Sequence, residues 1–381
     1  VIGLQLFGVL ATVWNKQLFV RQWLARLRFV LALVLSLTAV VTHSASIASR
    51  QPIFTGPQLD YQPAIIRVEP SGRLLVVFER LSATFSGDLY VTFSDDAGQT
   101  WSQPQAIVSS TRNERHPALV QLASGVFVLL YLKDESGSGS YRIYRATSAD
   151  GTTWTEQGAL DLGWSTPGEI NPAAIREADG TLTMTYQRSG SSYIARSSDG
   201  GATWDVRKTM VSAGGLLPRI AKRNSDGRYL VTYQVNPGSN QLELFAKTTS
   251  DPYDWSAQAS PVSLGSNSHD SQPIVLENGT FLVAYARQAG TAAFDIYLRS
   301  SQDGHVWSDE VRVTEDPTRY DLQPHPLLTG TPGKIMLLWS HQVSNAPYQD
   351  HDVWIDTNLV LPPQLWLQPS MYLPLIVQSG S

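Results

Sequence analysis

A frame of Ser or Thr, Asp, Gly and Trp recurs along the chain as FSDDAGQTW (93–101), TSADGTTW (147–154), SSDGGATW (197–204) and SSQDGHVW (300–307). A degraded copy, TSDPYDW (249–255), falls between the last two. Self-similarity at a long period means that one structural unit is repeated, each burying the apolar face of its neighbour. A second mark precedes each box: a Pro opens an apolar strand, a Gly or Asp-Gly turn follows, and a second apolar strand returns. It reads YQPAIIRVEPSGRLLVVFER (61–80), RHPALVQLASGVFVLLYL (115–132), INPAAIREADGTLTMTYQR (170–188), LLPRIAKRNSDGRYLVTYQ (216–234), SQPIVLENGTFLVAYAR (271–287) and LQPHPLLTGTPGKIMLLWS (322–340).

Each unit continues through a third strand, the Asp turn and a fourth strand after the Trp. Four antiparallel strands repeated six times predict an all-β chain, a six-bladed β-propeller closed around a central channel so that few strand edges stay open. The 28 Gly, 22 Pro, 11 Trp and 15 Tyr among Val/Thr-rich segments agree with short strands and tight turns. The last unit has HDVWIDTNLV (351–360) but no Asp turn, so RQPIFT (50–55) is expected to complete its sheet. The propeller then spans 49–360.

Ahead of it, RQWLARLR (21–28) is basic, FVLALVLSLTAVV (29–41) is apolar and THSASIA (42–48) is small and polar. This order predicts a secretory signal within 1–48, cleaved after Ala48, and hence a secreted or cell-surface protein with bacterial-type export and no stable membrane span once mature. An uncleaved anchor is the alternative. Residues 361–381 form a Pro-rich apolar C-terminal tail, for which surface attachment and ordinary packing both stay open. A net charge of -5 without a Lys/Arg run in the repeats argues against nucleic acid as a partner, and the absence of Cys excludes thiolate chemistry.

In each box the Asp accepts backbone N–H groups across a tight turn, Gly takes a positive φ, and Trp wedges between strands. A calcium loop needs alternating oxygen ligands and a distal Glu, which no copy supplies. A group used five times is architecture. The boxes resemble the Asp-box, or BNR, repeats of the sialidase superfamily, whose six-bladed propellers include exo-sialidases, other glycan-cleaving enzymes and non-catalytic binding proteins.

The resemblance spans about 60–356 and implies a site at one channel mouth, built by the starts of the innermost strands and the loops after the second strands. The starts carry Asp60, Tyr61, Glu114, Arg115, His116, Glu169, Asp270, Tyr320 and Asp321, and Arg188 and Arg287 follow second strands. A sialidase-like site uses three arginines on the substrate carboxylate, a Tyr nucleophile activated by a Glu, and an Asp acid/base. By resemblance Glu169 is the activating Glu and Arg188 a carboxylate-binding Arg. Tyr320 is the nearest nucleophile, and Asp60 and Asp134 are acid/base candidates. Tyr61 stands where the family's first-blade Arg belongs.

Two readings follow. In one, a secreted sialidase-like glycoside hydrolase, an exo-sialidase or an enzyme of another sugar, works with catalytic Glu169, Asp270, Asp321 and Tyr320, while Arg188, Arg115, His116, Arg287, Tyr61 and Asp60 bind substrate. In the other, the same pocket, or a rim with Trp164 and Tyr193, only binds a glycan or glycoconjugate. Chemistry of this type needs no metal and no cofactor.

Overall fold

The computed structural model describes residues 50–366, apart from 239–240, 264–266, 291–292 and 345–349. The expected signal with its cleavage after Ala48 lies outside the described residues, as does the C-terminal segment from 367 onward. What is described is all-β, with one short helix, α1 (Pro363–Trp366).

Strands β1 (Arg50–Pro52), β2 (Leu59–Arg67), β3 (Leu74–Leu81), β4 (Gly87–Ser94) and β5 (Gln105–Val108) come first. A four-stranded antiparallel sheet follows, made of β6 (Glu114–Gln121), β7 (Phe127–Lys133), β8 (Arg142–Ser148) and β9 (Thr155–Ala159). The next is β10 (Ile170–Arg176), β11 (Leu182–Arg188), β12 (Ser191–Ser197) and β13 (Thr209–Ala213). Then come β14 (Leu216–Lys222), β15 (Tyr229–Val235), β16 (Glu243–Thr249) and β17 (Ser260–Ser263). The fourth such sheet is β18 (Ser268–Val275), β19 (Phe281–Ala289), β20 (Ala293–Ser301) and β21 (Val311–Arg312).

Finally β22 (Asp321–Leu328), β23 (Lys334–Gln342) and β24 (His351–Val360) pair in order, and β1 adds antiparallel to β24, with Arg50 opposite Asp356. One parallel bridge, Leu59 to His351, joins this group to β2–β5 as an eight-stranded sheet. The first strands β2, β6, β10, β14, β18 and β22 pack each against the next, and β22 packs against β2. All six line one cavity of about 1060 Å³.

The second strands explain how the sheets stack. LLVVF in β3 and FVLLYL in β7 are buried at every residue, without the alternation of a half-exposed strand, because both faces are covered by neighbouring sheets. Leu130 of β7 and Leu182, Met184 and Tyr186 of β11 belong to one such intersheet core. Leu361 and Leu365 are buried in the core between the last two groups, so the C-terminal segment is packed as far as it is described.

The Pro residues do not open the first strands, as the sequence pattern suggests. Gln62, His116, Asn171, Leu217, Asp270 and Gln323 each take a positive φ, between 44° and 56°, and the ladder to the second strand shifts register there. In five strands the Pro follows this bulged residue; in β18 Ser271 occupies that place and Pro273 lies two residues further on. A residue without an N–H is tolerated where the ladder is already broken.

The Asp turns behave as their sequence requires. In the third, Ser197 Oγ donates to Asp199 at 2.8 Å and accepts Gly201 N–H at 2.8 Å, Thr203 N–H donates to Asp199 at 2.9 Å, and Trp204 Nε1 donates to Gly201 O at 3.0 Å. Ser148, Asp150, Gly151 and Trp154 repeat the pattern. The hydroxyl and N–H of Thr203 hold the Asp199 carboxyl down at about 2. Asp199→Ala should therefore cost about 1 kcal/mol by thermal or urea unfolding at pH 7. Because the folded carboxyl lies below its ordinary value of 3.8, this contribution is present above about pH 4 and lost as the pH falls towards 2. The difference between the two proteins should shrink over that interval.

Candidate active site

The six bulges place the strand starts around one mouth of the channel, and side chains from adjacent sheets tie them together. Glu79 Oε2 accepts the His116 N–H at 2.9 Å, and Gln187 and Gln323 accept those of Leu217 and Gln62 at 3.0 and 2.9 Å. A positive φ at non-glycine residues costs on the order of 1–3 kcal/mol each and persists only where the surroundings enforce it. These amide contacts are part of that enforcement.

Most of the sequence-predicted residues are engaged with one another. Asp60, fully buried, accepts Arg80 Nε and Nη2 at 2.7 and 3.0 Å; burial nonetheless raises its carboxyl above the ordinary value. Arg115 Nη2 donates to Glu79 at 2.9 Å. Burial opposes the charge on Glu79, but His116 and Arg115 outweigh it and lower the carboxyl. Arg287 pairs with Glu310 and lies over the Tyr297 ring. Asp321 accepts Trp339 Nε1 at 2.8 Å and contacts His341 Nδ1 at 2.6 Å. Tyr320 stands edge-on to Phe294, with ring centroids 5.6 Å apart. Asp134 bonds into its own loop, to Ser136 Oγ and the Ser138 and Gly139 amides.

Tyr61 shares a hydrogen bond of 2.9 Å with His351 Nδ1 and packs on its ring. A phenol held by a neutral-range imidazole is a poor replacement for a guanidinium facing an anion: burial holds His351 down at about 4. Deeper in the channel, Asp270 bonds His269 Nδ1 at 3.0 Å. Burial acts to raise this carboxyl, yet His269, Arg219 and His116 together hold it below the ordinary aspartate value. Burial pushes His116 down to about 4.

Glu169 sits one residue ahead of β10 and is 2% exposed. Arg188 Nη1 donates to its Oε1 at 2.5 Å, and Arg142 approaches Oε2 at 3.9 Å. Burial raises the Glu169 carboxyl in spite of both cations. Arg188 also bonds Thr166 O and Oγ1 at 3.0 and 2.9 Å and lies 4.4 Å from the centroid of Trp164, whose other cationic neighbour is Lys208. Tyr193, expected on an aromatic rim, is buried between Trp164 and Tyr186. Glu114 resembles Glu169: it is buried and raised by burial, with Ser110 Oγ at 2.5 Å and Lys133 at 3.7 Å.

Of the predicted site residues, only Asp270 lines the large cavity, which runs from the bulges to the turns after the first strands. Sequence reasoning missed Arg219, His325 and Asp352. The signal for Arg219 was present, since aligning the repeats on the bulge sets it against Ala64, Ala118, Ala173, Gln272 and His325. Asp352, raised to about 6 by burial and then by Asp60 and Asp350, carried no such signal.

Repeated four-stranded antiparallel sheets with Asp turns, and a polar mouth at their strand starts, define an all-β protein of BNR-type repeats. The family model described as BNR repeat-like domain matches residues 72–320, and the chain belongs to that family. A search of curated proteins finds no match. Among solved structures, the chain is similar to the NanB sialidase of Streptococcus pneumoniae, at 13% identity and a TM-score of 0.65 over 83% of this chain and 71% of that one. An α-L-arabinanase of Penicillium chrysogenum, solved with arabinobiose, gives 19%, 0.60, 82% and 99%. A protein of unknown function from Dyadobacter fermentans gives 15%, 0.61, 81% and 98%. At these identities the likeness is one of fold. No helix among the described residues is long and apolar enough to cross a membrane.

Proposed function

We propose that this chain is a secreted, six-bladed β-propeller glycoside hydrolase that cleaves a neutral sugar, with Glu169 as its proton donor. The observation that carries the reading is Glu169 itself: a buried carboxyl, raised by burial, fixed by Arg188 beneath Trp164 at the start of a first strand. A carboxyl whose burial favours the protonated form suits protonation of a leaving glycosidic oxygen. Its counterpart is an ionised carboxylate, and Asp270, held below its ordinary value, fits that requirement. The opposite directions of these two shifts support an acid and a base rather than two equal groups.

The engagement of the arginines supports a neutral substrate. Arg80, Arg115, Arg188 and Arg287 each hold a carboxylate of the protein, so an anionic sugar would have to displace one, and Tyr61 replaces the Arg that the sialidase resemblance expects. The same pairing favours a second reading, a glycan-binding propeller without turnover, because Asp60, Glu79 and Asp321 are also held by partners.

The test is release of free sugar by the full chain from neutral arabino- and galacto-oligosaccharides beside sialyl-oligosaccharides. Release from a neutral substrate alone is expected. Release of sialic acid would overturn the neutral-sugar reading, and binding without release would replace the hydrolase by the glycan-binding protein.

A further inference from the structure

On the side of the bulges away from Glu169, the cavity is lined to the turns by residues of all six first strands. Of the site just described, only Asp270 borders this volume. At the first paired level beyond the bulges, the residues are Ala64, Ala118, Ala173, Arg219, Gln272 and His325. Three alanines leave room for the one long side chain. Arg219 uses it, acting electrostatically on His116, Asp270 and His325, which belong to β6, β18 and β22 rather than to its own sheet. Its only direct bond is from Nη1 to Pro218 O at 3.1 Å, and no carboxylate lies within ion-pair distance among the described residues. The carboxylate facing it, Asp270, is already bonded to His269.

Three residues further along the strands, Arg67, Arg176 and Lys222 occupy one register level on β2, β10 and β14, and no acidic residue stands at that level. Arg67 bonds only main-chain oxygens, of Gly72 at 3.5 Å and Leu328 at 3.4 Å, and the Met336 sulfur. Arg176 meets the exposed Glu69 at 3.4 Å, and Lys222 meets Glu177. Glu277 is the remaining acidic residue on the wall. Three strand residues span about 10 Å, so cationic groups stand at two depths. Between them run the inner edges of first strands, which offer main-chain donors and acceptors.

We propose that this channel is a second binding site, for a hydrophilic dicarboxylate whose two acid groups reach Arg219 at the floor and Arg67 with its neighbours at the rim. Hydroxyl groups along the ligand meet the strand edges. The recognition is charge-assisted hydrogen bonding at both ends, which distinguishes such a ligand from a neutral sugar. Occupancy does not require turnover at Glu169.

The probe is galactarate, a polyhydroxylated dicarboxylate, titrated calorimetrically into the full chain, with galactitol as its uncharged counterpart. Galactarate should bind once per chain and weaken with added salt. Galactitol should bind at least about tenfold more weakly. Arg219→Gln and Arg67→Gln should each weaken galactarate about tenfold, whereas Arg219→Lys should retain part of the affinity. Arg67→Gln alters a partly exposed rim residue, so it keeps the test intact if Arg219→Gln does not fold. Three results would each overturn the proposal: no galactarate binding at millimolar concentration, equal binding of galactitol, or full affinity in a folded Arg67→Gln protein. None of them bears on hydrolysis, so this proposal and the Glu169 reading fail separately.

Discussion

Glu169→Gln is expected to lower turnover of the neutral substrate about a thousandfold while leaving its KM within a few-fold of the original. The amide keeps the shape and accepts the same Arg188 bond, but it has no proton to give to a leaving oxygen. Substrates that differ in leaving group separate this from a positioning effect: the loss should be greatest for a basic alkoxide and smallest for an activated phenolate, which departs without protonation. The pH profile carries a second signature. Burial lifts the Glu169 carboxyl, so the descending limb in the original protein lies above the ordinary glutamate range, and that limb should vanish in the amide. An equal loss for both leaving groups would mean that Glu169 only fixes Arg188.

Glu177→Ala should be the most destabilising of the single changes considered. Glu177, just beyond β10, is 4% exposed; it accepts the Tyr229 hydroxyl at 2.7 Å and Arg196 Nη2 at 3.2 Å, and it also holds the Thr183 hydroxyl and the Lys222 ammonium. These partners come from two strands of its own sheet and two of the next. Removing the carboxylate leaves two cations without their counter-charge, which typically costs about 3–5 kcal/mol, and urea unfolding should show it as a lower midpoint at unchanged slope. Burial opposes the charge, but Lys222, Thr183, Tyr229 and Arg196 lower the carboxyl below its ordinary 4.5. The contribution is therefore present above about pH 4.5 and lost as the pH falls through the folded value, so the gap between the two proteins should narrow in acid. A shift below about 1 kcal/mol at pH 7 would show that the cations find solvent.

The sheets were legible because five of the six units are announced twice, by a strand pair around a Gly turn and by an Asp turn before the outer strand, and the last by its strand pair alone. The register within the first strands was not. Pro marks only five of six bulges, and in β18 the visible Pro273 lies two residues past the break, so that strand reads two residues out of step. Glu169 and Arg188 were found through the resemblance, which matches a Glu before a first strand and an Arg after the second within one continuous stretch of chain. Glu79 and Arg115 were seen as separate mouth residues, because their bond crosses from one sheet to the next and depends on how two bulges face each other. The engagement of the arginines, on which the choice of sugar turns, thus belongs to packing and not to spacing.

The pairing of Arg50–Pro52 with His351–Val360 has a bearing on how the protein is made. About 300 residues separate the partners, which at about 5–20 residues per second is roughly 15–60 s of translation. The four central sheets are each continuous in sequence and can form as they emerge from the ribosome. The first segment must wait unpaired until the last has been synthesised. During that interval the nascent chain carries an unpaired strand at its start, and joining to a neighbouring copy competes with closing on itself.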